Sequence, residues 1–364
     1  MTKISIFLFA LATTLPKLVS SDENTTLELV HVIFRHGNRA PQKNLLYPKD
    51  PHINASYHPA DFGEHTNIGK LKQYRLGEAL RQRYKTFLGP YSLETVDARS
   101  TDYARTKVSL QLVLASLFPP ENEFVWNENL KWQPVAFNYW PIKNDHVLGQ
   151  PYRNCPRYRK LYLDFLNSTQ GRKMYENYTE TMKYLEEHTG LNITSKAALE
   201  LYLILDMERE NGLQLPNWTK SVFPSVMLGL VHLEYQAKVA TDEMKRLSSG
   251  FLLKKIIKDT RLKIRNVLPQ KRKMFLYSAH EYNLTYLMQL LGIYYPHIPP
   301  FSSYILIEIH NFGGIRKVRV FYQDYSGEKP MELKLPNCER FCNFDKFAKL
   351  YKMYLPKSSK ECDL

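Results

Sequence analysis

Two arginines and a histidine crowd into five consecutive positions in the segment RHGNRAP, at Arg35, His36 and Arg39. A guanidinium group matches phosphate oxygens bidentately and stays charged over the useful pH range. A histidine at the end of a strand is often only a structural hydrogen-bonding group. Cations gathered around a histidine are unfavourable, however, unless an anion binds among them. The segment therefore predicts an anion site with His36 as its nucleophile or base.

Two further segments carry residues of the same kind. STDYART places Arg105 in the first turns of a predicted helix, and SAHE places His280 and Glu281 at the start of another. Helix N-termini favour anions because their amide groups are free to donate and the helix dipole is positive there. Each segment alone could be a surface helix terminus, but together with RHGNRAP they indicate an anion site with one nucleophile and one carboxylic acid.

Strands and helices alternate around these segments. Short apolar runs predict strands over residues 29–34, 95–99 and 274–278, and helical spacing predicts helices over 69–88, 102–117 and 281–291. This alternation indicates a parallel sheet covered by helices, in which ligands bind at the carboxyl ends of the strands. One edge of the sheet should therefore collect Arg35, His36, Arg39, Arg105, His280 and Glu281.

The rest of the chain divides into a hairpin and a helical insertion. Residues 304–310 and 317–322 alternate between apolar and polar and are joined by NFGG, which predicts a hairpin at the edge of the sheet. Residues 145–250 have a helical pattern without strands. We therefore expect an α/β catalytic domain over residues 22–144 and 251–364, with an α-helical cap inserted at 145–250.

The first 21 residues have the order of a secretory signal peptide: a basic start, an apolar run and a polar exit rich in small residues. The apolar run is too short for a membrane-spanning helix, and no later window is apolar enough for one. A buried N-terminal helix is the alternative. We expect a protein outside the cytosol with no stable membrane anchor.

Glycosylation and disulfide signals agree with secretion. Acceptor tripeptides for N-glycosylation begin at Asn24, Asn54, Asn167, Asn177, Asn192, Asn217 and Asn283, and Asn283 is the exception because it lies beside SAHE. The four cysteines permit three pairings and lack the spacing of a zinc site. Cys338 and Cys342 are close enough in sequence to pair, which would leave Cys155 with Cys362.

The formal net charge of +14 raises the question of a nucleic-acid partner, because basic residues crowd between positions 245 and 273. In this stretch the lysines alternate with apolar residues as on an amphipathic helix, whose outer face is simply solvated. No nucleic-acid partner is therefore predicted. A positive field would favour anionic substrates.

The sequence resembles a known family at this point. RHGNRAP fits the Arg-His-Gly-X-Arg-X-Pro signature of the histidine acid phosphatases, a branch of the phosphoglycerate mutase-like fold. The segments RSTDYARTKVSLQLVLASLFPPE, LKWQPVAF, YRNCPRY, LPNW, MFLYSAHE and LPNCERFC are similar, in the same order, to prostatic and lysosomal acid phosphatases. Insect venom acid phosphatases look more similar still, and the resemblance covers nearly the whole mature chain.

The resemblance implies a role for each site residue. His36 would be phosphorylated, Glu281 would be the proton donor, and the phosphoryl oxygens would be bound by Arg35, Arg39, Arg105 and His280. It implies hydrolysis of small phosphate monoesters without a metal or cofactor, and the same two disulfides, Cys155–Cys362 and Cys338–Cys342. Vertebrate relatives are commonly dimeric, so a homodimer is a further expectation. The insect likeness favours extracellular secretion, as in venom, and a lysosomal lumen is the alternative.

One departure from the family pattern concerns the proton donor. The family usually has aspartate directly after the second histidine, whereas this chain has Glu281, whose additional methylene moves the carboxyl group by about a bond length. A mutase, a phytase preference, and a non-catalytic phosphate-binding or host-interaction protein therefore remain as alternatives. Other phosphatase chemistries find no support, because the sequence has no Cys-X5-Arg loop and no Asp-X-Asp pair.

Overall fold

A computed structural model describes residues 26–364, whose centre is an eight-stranded mixed sheet. The expected signal peptide and Asn24 lie outside the described residues. The strands are β1 (Leu27–Arg35), β2 (Val96–Ser100), β3 (Asn138–Tyr139), β4 (Met274–Ala279), β5 (Tyr304–Phe312), β6 (Ile315–Gln323), β7 (Met331–Leu333) and β8 (Cys342–Asn343). Their order is β3-β2-β4-β1-β5-β6-β7, and β8 pairs with β6.

The sheet has a parallel half and an antiparallel half. Strands β3, β2, β4 and β1 run parallel to one another, whereas β5 to β8 pair antiparallel to their neighbours. The expected fold class, a phosphoglycerate mutase-like sheet flanked by helices, is confirmed. The predicted β5–β6 hairpin is also present, but its expected position at the sheet edge is wrong. Strands β7 and β8 pair beyond it, and they are too short to produce a recognisable alternation.

Twelve helices accompany the sheet. They are α1 (Asn67–Leu88), α2 (Ala104–Leu117), α3 (Pro151–Asn154), α4 (Pro156–Asn167), α5 (Thr169–Tyr175), α6 (Thr179–Thr189), α7 (Ser195–Glu210), α8 (Ser225–Ala237), α9 (Asp242–Ser248), α10 (Gly250–Ile264), α11 (Glu281–Leu291) and α12 (Phe344–Leu350). Helices α3 to α9 follow one another without an intervening strand. The basic stretch after residue 245 forms α9 and α10, which are separated at Ser249, rather than a single amphipathic helix.

Strand β1 is buried on both faces, as its unbroken apolar sequence predicts. Leu29 and Ile33 pack on one face with residues of α10, α11 and α12. Val30, Val32 and Phe34 pack on the opposite face with residues of α1 and α2. Because alternate side chains point to opposite faces of a strand, this single apolar run supplies both layers of the core.

Both expected disulfides are present. Cys155 is joined to Cys362, and Cys338 is joined to Cys342. The first of these ties the start of α4 to the end of the chain, and its sulfurs pack with Tyr158, Tyr162 and Met244. In the chain-entropy account, closing so long a loop stabilises the fold by about 5 kcal/mol at most.

The surface positions of the acceptor asparagines follow the sequence-based expectation. The side chains of Asn54, Asn167, Asn177, Asn192 and Asn217 are exposed. Asn283 is buried and hydrogen-bonded on both sides of its amide. Within residues 26–364 no helix is both long and apolar enough to cross a membrane.

Candidate active site

The three predicted segments meet because β1, β2 and β4 are adjacent and parallel. Arg35 lies opposite Ala279, and Ser100 lies opposite Ser278. The carboxyl ends of these strands open into a cavity of about 260 Å³. All six predicted residues line this cavity, namely Arg35, His36, Arg39, Arg105, His280 and Glu281.

His36 is buried and its ring is held in one tautomer. Its Nδ1 lies 3.0 Å from the carbonyl oxygen of Gly37. A carbonyl can only accept a hydrogen bond, so Nδ1 carries the proton and Nε2 keeps its lone pair. Burial, followed by the charge of Arg105, holds the pKa of His36 well below its ordinary value. The ring is therefore neutral in mildly acidic water and nucleophilic at Nε2.

Three guanidinium groups are fixed around the cavity by contacts that leave part of each group free. Arg35 donates to the carbonyl of Pro299 at 2.6 Å and stacks 3.8 Å above the Phe301 ring. Arg39 donates to the carbonyl of Ala40 at 2.9 Å.

The third guanidinium, that of Arg105, lies 4.3 Å above the ring of Tyr103. The buried Nε atoms of Arg35, Arg39 and Arg105 have no hydrogen-bond partner among residues 26–364. Burial and the neighbouring Arg105 lower the pKa of Arg39 to about 9. An anion bound here would relieve this mutual repulsion.

His280 stands at the entry to α11 and faces His36. The two ring centroids are 5.4 Å apart and nearly perpendicular. Nε2 of His280 is hydrogen-bonded to the hydroxyl of Thr101 at 2.9 Å, and its backbone N–H donates to Oδ1 of Asn283 at 3.1 Å. Burial and then the charge of Arg105 depress the pKa of His280. The residue is therefore a neutral polar group on the wall of the cavity.

Glu281 is the most solvent-accessible of these six residues apart from the arginine rims. It occupies the first position of α11, its side chain is 15% exposed, and its Oε2 lies 3.9 Å from Nε of Arg35. A carboxyl group at the edge of the cavity can exchange protons with both solvent and a bound molecule. This position suits a general acid or base.

Several residues that the sequence analysis did not single out support the loop that carries His36. Ser109 accepts a hydrogen bond from the backbone N–H of Gly37 at 3.1 Å and is hydrogen-bonded to His65 at 2.9 Å. Gln73 donates to the carbonyl of Arg35 at 3.0 Å. These residues belong to the buried sides of α1 and α2 or their approach, where the sequence gives only helical spacing and no chemical signal.

Gly37 has a steric reason to be glycine. A Cβ atom at this position would lie 2.6 Å from the carbonyl oxygen of Gly69, and one at Gly69 would collide with the carbonyl oxygen of Asn38. The N-terminus of α1 therefore packs directly on the backbone of the catalytic loop. No side chain fits between them, which makes the loop rigid.

The helical segment closes the other side of the cavity. The side-chain amide of Asn38 donates to Glu210, and that of Asn211 donates to the carbonyl of Arg39 at 3.4 Å. Both partners lie at the end of α7. The position of Arg39 thus depends on α7 as well as on the strand that precedes it.

The spacing of three cavity residues is compatible with a metal ion. One ligand atom each from His36, His280 and Glu281 lie within 4.8 Å of one another. The same cavity receives the charges of Arg35, Arg39 and Arg105, which repel a divalent cation strongly in a partly buried site. The whole set of side chains therefore fits an anion better than a metal.

Comparisons with known proteins agree with this geometry. A family model described as the histidine phosphatase superfamily (branch 2) matches residues 26–323. Venom acid phosphatase Acph-1 of Apis mellifera is 38% identical over 336 residues, which are 91% of this chain and 86% of that protein. Prostatic acid phosphatase of Homo sapiens is 33% identical over 367 residues, covering 98% of this chain and 92% of that protein.

A solved structure, Hafnia alvei phytase in complex with tartrate, superimposes with a TM-score of 0.68 over 93% of this chain and 98% of that one. At 16% identity this likeness shows the fold alone. The family match and the sequence relatives carry the classification. The chain belongs to the histidine phosphatase superfamily (branch 2), and within it to the histidine acid phosphatases.

Proposed function

We propose that this protein is an acid phosphatase that hydrolyses phosphate monoesters through a phosphohistidine on His36, with Glu281 as proton donor. The observation that carries the proposal is the state of His36. Its ring is neutral, it has a free Nε2, and it lines the same cavity as three incompletely bonded guanidinium groups. The similarity to proteins named acid phosphatases supports the same reaction.

In the first step Nε2 of His36 attacks phosphorus in line with the leaving oxygen. The N–P bond forms as the P–O bond breaks, and the protonated carboxyl of Glu281 gives its proton to the departing oxygen. The guanidinium groups of Arg35, Arg39 and Arg105 stabilise the charge on the equatorial oxygens, and His280 binds the same group. The products are an alcohol or phenol and phosphorylated His36.

In the second step a water molecule attacks the phosphohistidine. Glu281, now a carboxylate, accepts a proton from the water as the N–P bond breaks, which releases inorganic phosphate and restores the starting protonation of the site. Fixed guanidinium groups supply the positive charge that a metal ion supplies in other phosphatases. The scheme therefore needs no cofactor.

An acidic optimum follows from the protonation states that the first step needs. Glu281 must carry its proton, which favours low pH. His36 must be neutral, and burial and the neighbouring charges keep its pKa low enough for this at acidic pH. Both requirements are met together below neutrality.

The test is hydrolysis of p-nitrophenyl phosphate by the purified protein between pH 4 and 8, with L-tartrate and with EDTA in parallel. We expect turnover with an acidic optimum that tartrate inhibits and EDTA does not. A folded protein without turnover would instead support the non-catalytic phosphate-binding alternative. Transfer of phosphate between sugar phosphates without release would support a mutase.

We also propose that the protein is secreted and that α3 to α9 act as a cap over the active site. The proposal rests on the N-terminal segment, on relatives named for venom and prostate, and on the exposed acceptor asparagines. Expression of the full chain in insect cells should yield medium protein that begins near residue 22 and shifts in mass after deglycosylation. Retention in a lysosomal fraction would favour the lysosomal alternative. The homodimer stays a prediction.

A further inference from the structure

The cavity that holds His36 contains more positive charge than one phosphoryl group requires. Its lining has six cationic side chains and two carboxyl groups. Three of the cations are the arginines next to His36. The other three are Arg153, Lys196 and Lys238, which come from α3, α7 and the end of α8.

The two lysines converge on one aromatic ring. Nζ of Lys196 lies 5.5 Å and Nζ of Lys238 lies 5.1 Å from the centroid of Tyr152. The charge of Lys196 contributes to lowering the pKa of Lys238, although burial is the larger cause. Two ammonium groups this close, with an aromatic face between them, form a local concentration of positive charge in the wall of the cavity.

Lys238 is an unusual residue to find almost fully buried. Its side chain is 4% exposed, and it forms a 3.0 Å ion pair with Glu234, whose side chain is 0% exposed. Glu234 also accepts from the hydroxyls of Tyr162 and Tyr175. Glu234 is thus shared among three donors, and an ammonium group has three N–H groups, so Lys238 retains donors for a group in the cavity that it lines.

Arg153 connects this cluster to the catalytic residues. Its guanidinium donates to the hydroxyl of Tyr103 at 3.2 Å, and the ring of Tyr103 contacts both Arg105 and His280. The charge of Arg153 contributes to lowering the pKa values of Arg105 and His280, after burial in each case. Arg153 therefore lies on the side of the cavity that continues from the phosphoryl site toward the two lysines.

A polar group with no partner lies in the wall of the same cavity. Tyr235 on α8 is fully buried, and its hydroxyl has no hydrogen-bond partner within residues 26–364. Leaving a buried hydroxyl unpaired is unfavourable, so a ligand group that reaches it would gain a hydrogen bond. Tyr235 is the residue three positions before Lys238, which places it on the same side of α8 as the lysine.

We propose that Arg153, Lys196 and Lys238 form a second anion site, which binds an anionic group on the leaving group of the phosphate monoester. This inference rests on the proposed phosphatase activity and names its substrate class: monoesters whose alcohol or phenol carries a carboxylate or a second phosphate. The aliphatic wall of Leu199 and Leu203 and the hydroxyl of Tyr235 would contact the connecting portion.

The test compares three substrates with one phenyl frame: phenyl phosphate, 4-carboxyphenyl phosphate and 1,4-phenylene bisphosphate. Wild-type protein should show a kcat/KM for one or both anionic substrates about tenfold above that for phenyl phosphate. The preference should shrink as ionic strength rises, because salt screens partly exposed charges. The carboxylate and bisphosphate arms distinguish the two kinds of anion.

The Arg153→Gln/Lys196→Gln double variant should lose most of this preference, chiefly through an increase in KM. Lys258→Gln is the matched control, because Lys258 is an exposed lysine on α10 outside the cavity, and it should keep the wild-type ratio. Lys238→Met combined with Glu234→Gln is a further variant that avoids leaving a buried unpaired charge.

Two outcomes would overturn the inference: equal kcat/KM for all three substrates in the wild type, or the same fractional loss for all three in the double variant. The second outcome would indicate a general field instead of a leaving-group site. Failure of the proposed function is distinguishable, because the wild type would then not turn over phenyl phosphate at all.

Discussion

His36 and Gly37 are hydrogen-bonded to each other through the ring Nδ1 and the backbone carbonyl, at 3.0 Å. The nucleophile is thus oriented by the residue next to it in the chain. Gly37 is in turn fixed by its N–H bond to Ser109 and by its contact with Gly69. The tautomer of His36 therefore depends on the backbone of a loop that α1 and α2 hold from behind.

Replacing His36 by alanine should abolish turnover, because no other group in the scheme forms the covalent intermediate. We expect kcat to fall at least about 10³-fold. Rapid acid quenching with ³²P-labelled substrate should give an alkali-stable, acid-labile phosphoenzyme in the wild type and none in the variant. His65→Gln is the control, since the His65 ring centroid is 6.4 Å from that of His36. If the label persisted in His36→Ala and vanished in His65→Gln, the nucleophile would be His65.

Replacing Glu281 by glutamine should slow the first step in a manner that depends on the leaving group. Poor leaving groups need a proton, so alkyl phosphates should slow by about 10²–10⁴-fold, whereas p-nitrophenyl phosphate should slow far less. Single-turnover measurements with both substrates test this. Glu200→Gln changes the other carboxyl group of the cavity and should show no such difference. Equal slowing of both substrates by Glu281→Gln would exclude this residue as the donor.

The charge of Arg105 should set the acidic limit of activity. After burial, that charge is the largest cause of the lowered pKa of His36. A protonated His36 cannot attack, so activity falls as the pH drops through this pKa. Removing the positive charge in Arg105→Met raises the pKa of His36, and the acidic limb of kcat/KM should move to higher pH.

Arg105→Lys keeps the charge and is the matched control for this shift. Its rate should fall because a lysine cannot bind phosphate bidentately, but its acidic limb should stay near that of the wild type. The pH profiles of kcat/KM for p-nitrophenyl phosphate between pH 3 and 7 provide the comparison. Identical limbs in the methionine and lysine variants would contradict the electrostatic explanation.

The six site residues could be predicted from the sequence because each follows a strand or opens a helix. Strand ends and helix starts leave local signals, such as the apolar run before Arg35 and the turn before His280. The second shell of support could not be found in this way. Ser109 and Gln73 occupy helical positions whose spacing indicates only a buried face, and their partners are remote in sequence.

The expected positions of the long elements were confirmed within one or two residues at most of their ends, whereas short strands were missed. Strands β7 and β8 have three and two residues, and a pattern of period two cannot be recognised over so few positions. The contacts between α7 and the catalytic loop were also invisible. Asn38 and Glu210 are far apart in sequence, so only the folded chain relates them.

A buried pair of carboxyl groups beside α7 should make the fold most stable at acidic pH. Glu208 is 0% exposed, and its two carboxyl oxygens have no hydrogen-bond partner in the described part of the chain. Oδ2 of Asp50 and the hydroxyls of Tyr47 and Tyr57 are in the same condition. Burial, and next the charge of Asp50, raise the pKa of Glu208. The folded protein therefore keeps a proton on Glu208 that the unfolded chain releases above about pH 4.3.

The direction of the pH effect follows from this extra proton. Because the folded state binds more protons, the free energy of unfolding falls as the pH rises above about 4.3, by up to about 1.4 kcal/mol per pH unit while the difference lasts. Glu208→Gln has no proton to lose and its amide can donate to Asp50 at every pH. Urea unfolding between pH 5 and 8 should therefore show a smaller decline for Glu208→Gln than for the wild type. Glu176→Gln, which changes an exposed carboxyl group of the same helical segment, should follow the wild type, and parallel profiles for all three proteins would show that Glu208 is ionised in the folded state.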